Sequence, residues 1–502
     1  MEELPVSGQE LNRTSVDAAS RRSRENAGAV PDPAGTVGGP AIAAEAMPLI
    51  RFRDLPPAAR EILETLWSHD HDGFVVGGSL RDRLLKREPR DWDFTTEARP
   101  ERLQSLFPGA VYENRFGTVF VRRDGEDYAI TTYRSDHDYA DHRRPHRVEF
   151  GDSLEPDLAR RDFTVNAMAW GRRRWTSPSE FELVDPFGGR ADVRARILRA
   201  VGDPATRFDE DALRMIRAVR LAAVLDFAIE PATLAAIRER ADLAAHLSGE
   251  RIAAELQQLL RAPRPSTGLR LLEETGLLAV ISPELAAQRG VPQNKIEGED
   301  LWDHTMRSVD APAAGNDVVR MAALLHDICK PATASADGHF PDHDAVGADL
   351  ALAFLSGLHV PRSEQDRVVH LVRQHMFSYE PAWSDAAVRR FIGRVRVGSL
   401  DDLDDLFELR EADNVGSGLP ANAGRLDELR ARVSQQLDAH VALSLGDLAV
   451  DGSDLIEELG LSPGPEIGRI LSALLELVIV DSSLNDRATL LARARTMAGA
   501  AR

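Results

Sequence analysis

Val76-Gly77-Gly78-Ser79-Leu80-Arg81-Asp82, followed by Asp91-Trp92-Asp93, is the stretch whose reading decides the fold. Two adjacent glycines let the backbone approach phosphate oxygens where a side chain would block them. Leu80–Leu85 reads as a short amphipathic helix whose N-terminus faces that turn. Gly73–Val76, just before it, reads as a strand. Asp91 and Asp93, at i and i+2, are expected on the next strand with both carboxylates on one face. Paired carboxylates suit Mg²⁺, a hard ion that takes oxygen ligands and shares triphosphate oxygens. A site of that kind activates an attacking hydroxyl and stabilises a leaving pyrophosphate. Alone, a Gly-Gly turn is usually only a turn, and an Asp-x-Asp is often a solvated strand end. Together, in this order, they favour a nucleoside triphosphate site. Gly77, Gly78 and Arg81 are its candidate phosphate contacts, and Asp91 and Asp93 its candidate catalytic metal ligands.

The 502-residue chain is long enough for three or four domains. Its hydrophobic content of 43% and charged content of 28% are those of a soluble globular protein. No apolar run is long enough to span a bilayer, and no signal segment opens the chain. The one cysteine, Cys329, excludes an intrachain disulfide and a multi-cysteine zinc site. The expected location is the cytoplasm. A net charge of -20 argues against sequence-blind polyanion binding. Between Arg190 and Arg220, however, eight arginines face five acidic residues, and Arg160, Arg161 and Arg172–Arg174 add to them. A local basic docking surface for RNA on an acidic body is expected.

Residues 1–47 are rich in Ala, Gly, Ser and Pro without apolar periodicity, and are expected to be disordered. Met47 opens the first segment that reads as structured, so a start at either Met1 or Met47 fits. A helix over Phe52–Trp67 and strands at Gly73–Val76, Asp91–Thr95, Gly117–Arg122 and Tyr128–Tyr133 define an α+β head with a mixed sheet, spanning 48–170. Beyond Pro186 strand signals vanish and apolar residues recur at helical spacing. The boundaries drawn are a helical neck at 171–262, a body at 263–298, a further helical domain at 299–435 and a tail at 436–502.

With these blocks in view, the chain resembles the class II CCA-adding tRNA nucleotidyltransferases, which share a polymerase-β-like head with bacterial poly(A) polymerases. The resemblance covers about residues 48 to 502. It rests on Val76–Asp82, Asp91–Thr96, Phe116–Val119, Thr131–Arg134, Tyr139–Pro145, Arg160–Ala167, Asp185–Gly189 and Glu210–Arg214. It implies CTP and ATP as substrates, Mg²⁺ as cofactor and the tRNA 3′ end as acceptor. No membrane and no obligatory protein partner is implied. Arg161 and Asp162 match positions that contact the sugar and triphosphate. Asp211 and Arg214, expected side by side at i and i+3 of one helix, match the pair that reads the base. A carboxylate accepts from an amino group while a guanidinium donates to ring nitrogen or carbonyl, so cytosine or adenine could be selected without a template. Arg217 and Arg220 continue that helix face and match positions lining the nucleotide site. Asn114–Thr118 looks like the CCA-adding pattern rather than the Gly-Arg-Arg-Phe block of poly(A) polymerases, and Tyr139–Pro145 resembles the family's CTP-to-ATP switching loop. Poly(A) addition, or addition of CC or A alone, stays open. One departure stands out: where the family carries a third carboxylate, this chain has Ala129. Asp127, two residues earlier on the same strand face, is the candidate substitute.

The block Ala322–Pro331 resembles the HD phosphohydrolase superfamily, which gives the 299–435 domain its reading. His326 and Asp327 carry the motif, His304 and Asp413 fit its outer ligand positions, and His343 and His375 its extra histidines. Imidazoles and carboxylates on several helices can hold one or two divalent transition-metal ions and activate water at a phosphoester, for example at RNA-end phosphates. Two rival readings remain: an HD phosphohydrolase whose head is impaired at Ala129, and a non-catalytic tRNA-end binder.

Overall fold

The computed structural model describes residues 50–500, except 90, 113–115, 140–144, 294, 336–337, 397–400 and 440. The segment expected to be disordered, Asn114 and Arg115, and most of the switching-loop block lie outside the described residues. Among the described residues, nine strands build the head: β1 (Gly73–Val76), β2 (Asp93–Thr96), β3 (Val111–Tyr112), β4 (Thr118–Arg123), β5 (Glu126–Thr132), β6 (Arg134–Tyr139), β7 (Pro145–Phe150), β8 (Ala169–Arg172) and β9 (Glu182–Val184). Seven form one sheet in the order β3-β4-β5-β2-β1-β8-β9, and β6 pairs with β7 as a separate hairpin. β2 and β5 run parallel while the other neighbours run antiparallel, so the sheet is mixed as expected.

β1 is buried along its whole length and sits centrally, flanked by β2 and β8. The helix Pro57–Ser68 covers the sheet with Ile62, Leu63, Leu66 and Trp67, and Trp67 Nε1 donates to the Gly73 carbonyl at 3.2 Å. Proline at its first turn costs no hydrogen bond, because that N–H would have no helical partner. The helix Gly77–Leu84 follows β1 without a loop, so its N-terminus lies at the edge where β2 begins.

Three sequence expectations are corrected. β2 starts at Asp93, and Asp91 lies in the bend before it. The last β1 residue that pairs with β2 is Val76, after which the chain turns into a helix, so no strand residue of β1 is left to pair with Trp92 or Asp91. The sheet also continues past Trp170 through β9. Strands do not vanish beyond Pro186, since Ile197–Leu198 pairs in parallel with Ala228–Ile229. Two residues are too few to show an alternating pattern.

The rest of the described chain is helical. Helix Leu213–Leu225 buries Met215, Ile216, Val219 and Leu221, and lies against helix Gly249–Leu260, with Arg220 of the first bonded to Glu255 of the second. Helix Asp401–Gly416 crosses helix Leu301–Asp310 so closely that a methyl group at Gly416 would lie 2.0 Å from Ser308 Oγ and 3.0 Å from His304 Nδ1. Only glycine permits that approach, which brings Asp413 to His304. The tail has its own small core of Leu455, Leu474, Val478, Leu490 and Ala494. Among the described residues, no helix is long and apolar enough to cross a membrane.

Candidate functional site

A cavity of about 480 Å³ opens between the β1–β2 edge of the head and the two helices Leu213–Leu225 and Gly249–Leu260. Gly78, Arg81, Asp91, Asp93, Arg217 and Arg220 line it, which gathers six of the expected residues from three separate chain segments. Gly77 stands just behind, at φ +73°. A side chain there would cost about 1–2 kcal/mol in that left-handed conformation. Its Cβ would also sit 3.3 Å from Arg161 Nη1 and 3.4 Å from Asp93 Oδ2. Gly77 therefore lets Arg161 and Asp93 come up against the same backbone position.

A buried scaffold holds these groups. Asp157, wholly buried, accepts from Arg160 Nη2 at 2.6 Å and from Arg161 Nη2 at 3.3 Å. Burial alone would raise its pKa, but the two guanidinium groups outweigh this and hold the carboxyl below its ordinary value. Arg81 is fixed by Asp82 at 2.8 Å and by Asn166 Oδ1 at 2.8 Å. Asn166 in turn donates to Asp162 at 3.0 Å, and Asp162 receives Arg217 Nε at 2.7 Å. A hydrogen-bonded chain thus runs from Asp82 through Arg81 and Asn166 to Asp162, and an ion pair carries it on to Arg217. Asp93 has the opposite character from Asp157: burial raises its pKa, the neighbouring Asp91 raises it further, and Arg161 and Arg217 only partly compensate. Two carboxylates short of positive charge on a polar cavity fit a divalent cation with oxygen ligands.

The base-reading pair is placed differently from expectation. Asp211 precedes helix Leu213–Leu225 in an extended conformation, and Arg214 lies in its first turn. The two are joined through the backbone, Arg214 N donating to Asp211 O at 3.0 Å. Their side chains engage other partners. Arg251 Nη2 donates to Asp211 at 2.7 and 3.0 Å, while Arg214 binds Glu210 at 2.6 Å and the Arg160 carbonyl at 2.9 Å. Both are thereby held in fixed orientations beside Arg217.

Ala129 is level with Asp93 in the parallel register of β2 and β5, so a carboxylate there would lie directly beside the Asp93 side chain. Asp127 shares the strand face but is exposed, and its carboxylate is turned to Arg122 at 3.5 Å. The expected basic patch is also largely neutralised: Arg196, Arg199, Arg207, Arg214, Arg217 and Arg220 each pair with a carboxylate. Counting charges between Arg190 and Arg220 cannot reveal this, because half of the cited partners, Asp226, Asp162 and Glu255, lie outside that stretch.

Asn166, Glu255 and Gln258 line the cavity but were not among the expected site residues. Asn166 lay within a recognised block. Glu255 and Gln258, at i and i+3, read as the solvated face of an amphipathic helix and carried no other signal.

Residues 73–199 match the poly A polymerase head domain, 226–289 the RNA and SrmB-binding site of polymerase A, and 348–494 the tRNA nucleotidyltransferase domain 2. A CCA-adding enzyme of Geobacillus stearothermophilus is 34% identical over 428 residues, covering 85% of this chain and 93% of the relative. One from Lactococcus lactis subsp. lactis is 32% identical over 449 residues, covering 88% and 97%. The chain belongs to the CCA-adding enzyme family. The crystal structure of the Bacillus stearothermophilus CCA-adding enzyme in complex with CTP superposes with a TM-score of 0.65 at 30% identity, covering 89% of this chain and 100% of that one. The head of this CCA-adding family member is therefore a nucleotidyltransferase domain.

The helical half brings the second set of expected residues together. His304 Nε2 lies 3.1 Å from His326 Nε2, 3.3 Å from Asp327 Oδ2 and 3.4 Å from Asp413 Oδ1. His343 and His375 approach Asp327 from the other side. All six are buried: His304, His343 and Asp413 on three helices, His326 and Asp327 in the turn after Leu325, and His375 just past the end of helix Arg362–Gln374. Burial pushes His375 down to about 4, which keeps its imidazole neutral. Burial also works against Asp327, but His326 and Lys330 dominate and hold it well below the usual carboxylate range.

Asp93 generates a stability prediction. A carboxyl whose folded pKa is raised destabilises the fold above that pKa, and the penalty disappears below the unfolded value. In chelator, Asp93→Asn is expected to raise the Tm at neutral pH. The gain should shrink to nothing as the pH falls through the ordinary carboxylate range. Thermal unfolding monitored by circular dichroism across pH checks this; an equal or lower Tm at neutral pH would contradict it.

Proposed function

We propose that this protein adds CCA to the tRNA 3′ end from CTP and ATP, without a nucleic-acid template and with release of pyrophosphate. The observation that supports it best is the cavity lined by the carboxylate pair Asp91 and Asp93, by Arg81, and by Arg217 and Arg220 of the helix that carries Arg214, in a chain of the CCA-adding family. Asp91 and Asp93 would hold Mg²⁺, which when bound neutralises triphosphate charge and polarises the reacting oxygens. Gly77 and Gly78 let the backbone approach the phosphates, and Arg81 and Arg161 meet them with guanidinium donors. Asp162 anchors Arg217 and remains within reach of the ribose. Asp211, held by Arg251, accepts from the exocyclic amino group shared by cytosine and adenine. Arg214 donates to the ring acceptor beside it. The tRNA 3′-oxygen bonds to the α-phosphorus, the bond from that phosphorus to the bridging oxygen of the β-phosphate breaks, and the hydroxyl proton is lost. Arg220, bonded to Glu255 and Gln258, closes the far wall.

The domain reading proposed with it keeps the head, neck, body, HD domain and tail, the head sheet running on to Val184. The HD domain supports a second reading, a metal-dependent phosphohydrolase on RNA-end phosphates. The buried imidazoles and carboxylates around Asp327 are the observation behind it. A cytoplasmic location goes with this reading, because tRNA is the proposed substrate.

Incubating tRNA that lacks CCA with labelled CTP and ATP and Mg²⁺ tests the primary reading. Label should enter as C, C and then A, and Asp91→Ala should reduce incorporation to background. Long A tracts on generic RNA, or full activity of the variant, would overturn it. Ala129→Glu supplies a carboxylate beside Asp93. It is expected to raise kcat several-fold and lower the Mg²⁺ concentration needed, by steady-state kinetics; a fall in both would show that the position is not a metal-ligand position.

A further inference from the structure

The cavity beside Asp91 and Asp93 runs on beyond the groups that would hold a nucleotide. It follows helix Leu213–Leu225 past Arg217 and Arg220 to Val224 and Leu225, and helix Gly249–Leu260 past Glu255 to Gln258 and Arg261. From Arg217 to Leu225 the helix rises about 12 Å. Arg87 and Glu88 line the same end from the head. Two exposed guanidinium groups stand open there. Arg87 gives Nη1 to the Val224 carbonyl at 3.2 Å and pairs with no carboxylate among the described residues. Arg261 lies side-on to Asp317: Nε donates to Oδ2 at 2.6 Å and Nη2 meets the same oxygen. Its Nη1 has no hydrogen-bond partner among the described residues. The two carboxylates at this end are engaged elsewhere, Glu88 with Arg83 at 3.2 Å and Glu255 with Arg220.

Arg261 is held from behind by helix Asp317–Leu325. Arg320 on that helix is buried and makes no ion pair among the described residues. Its Nη1 donates to the carbonyls of Leu260 and Ala262, the residues on either side of Arg261, and Nε and Nη2 donate to the Pro312 carbonyl at 3.2 and 3.0 Å. The last carbonyls of a helix lack helical partners and favour a nearby cation. Arg320 meets that need for helix Gly249–Leu260, so Arg261 is left to the cavity. Burying a guanidinium without a carboxylate is costly. What its bonds secure is the backbone at Arg261.

In phosphoryl transfer the attacking oxygen approaches in line with, and opposite to, the leaving group. The glycine turn, Arg81 and Arg161 would serve the triphosphate, so the acceptor strand needs an anchor of its own. We propose that Arg261, with Arg87 at the same end of the cavity, binds a backbone phosphate of the RNA strand whose 3′-oxygen is extended, and that Asp317 and Arg320 are its positioning residues. It rests on the tRNA-extending reading of the cavity and names where the acceptor strand is gripped. An arginine with one edge fixed and the other open suits a phosphate oxygen.

Two binding measurements on the full chain test this without chemistry. Filter binding of tRNA lacking CCA, in chelator and across salt concentrations, reads the acceptor; calorimetry with CTP and Mg²⁺ reads the nucleotide. Arg261→Gln and Arg87→Gln are each expected to weaken tRNA binding several-fold and to lower the slope of log affinity against log salt by about 0.7, the share of one single-strand phosphate. CTP affinity should stay the same. Asp317→Asn should weaken tRNA binding in the parent chain but not in a chain already carrying Arg261→Gln; a merely structural role would act equally in both. An unchanged tRNA affinity and salt slope in Arg261→Gln overturns the proposal, as does a loss of CTP affinity in its place. If tRNA binds through Arg261 but the parent chain incorporates no C or A, the acceptor grip stands and the CCA-adding reading falls.

Discussion

The ion pair between Asp162 and Arg217 is the interaction on which the rest of the head site depends. Asp162 belongs to the segment before β8, and Arg217 to the helix that carries Arg214, the arginine proposed to read the base. Their 2.7 Å contact ties the triphosphate edge of the sheet to the helix opposite. Burial opposes the Asp162 charge, but Arg217, Asn166 and the Phe163 amide outweigh it and keep the carboxyl below its ordinary value. Through Asn166 the same carboxylate also sets Arg81, so one anion fixes cationic groups on both walls of the cavity. Removing one partner of such a buried network leaves the other charge uncompensated, which is why these residues act as a unit.

A polyanionic substrate must be met by positive charge in a chain whose formal charge is -20. The structure reconciles the two by giving most site arginines a carboxylate partner that orients them. Asp157 does so for Arg160 and Arg161, Glu255 for Arg220, and Glu210 for Arg207 and Arg214. Such arginines are less a free attractive field than a fixed set of donors. Fixed donors favour a ligand of defined shape, which suits selection of a base by side chains.

The head was legible in the sequence because its devices are local. A strand ending in Gly-Gly and two aspartates two apart have few other uses in that order. The strand start at Asp93 was less legible, since it is set by where β1 ends at Val76, opposite Asp93. Asp211 and Arg214 were recognisable as types, but their setting depends on Arg251, forty residues away. Glu255 and Gln258 are indistinguishable in sequence from a solvated helix face until the fold turns that face to the cavity. In the helical half the His and Asp pattern was readable, whereas the close crossing at Gly416 that brings Asp413 to His304 is a property of geometry alone.

The central claim is that protein side chains, not a nucleic-acid template, read the incoming base. The most direct measurement is sequencing of tRNA 3′ ends after reaction of Asp211→Ala and Arg214→Ala with all four nucleoside triphosphates. The account predicts that both variants still transfer nucleotides but admit U and G where the parent chain adds only C and A. Unchanged selection of C and A in either variant would contradict it.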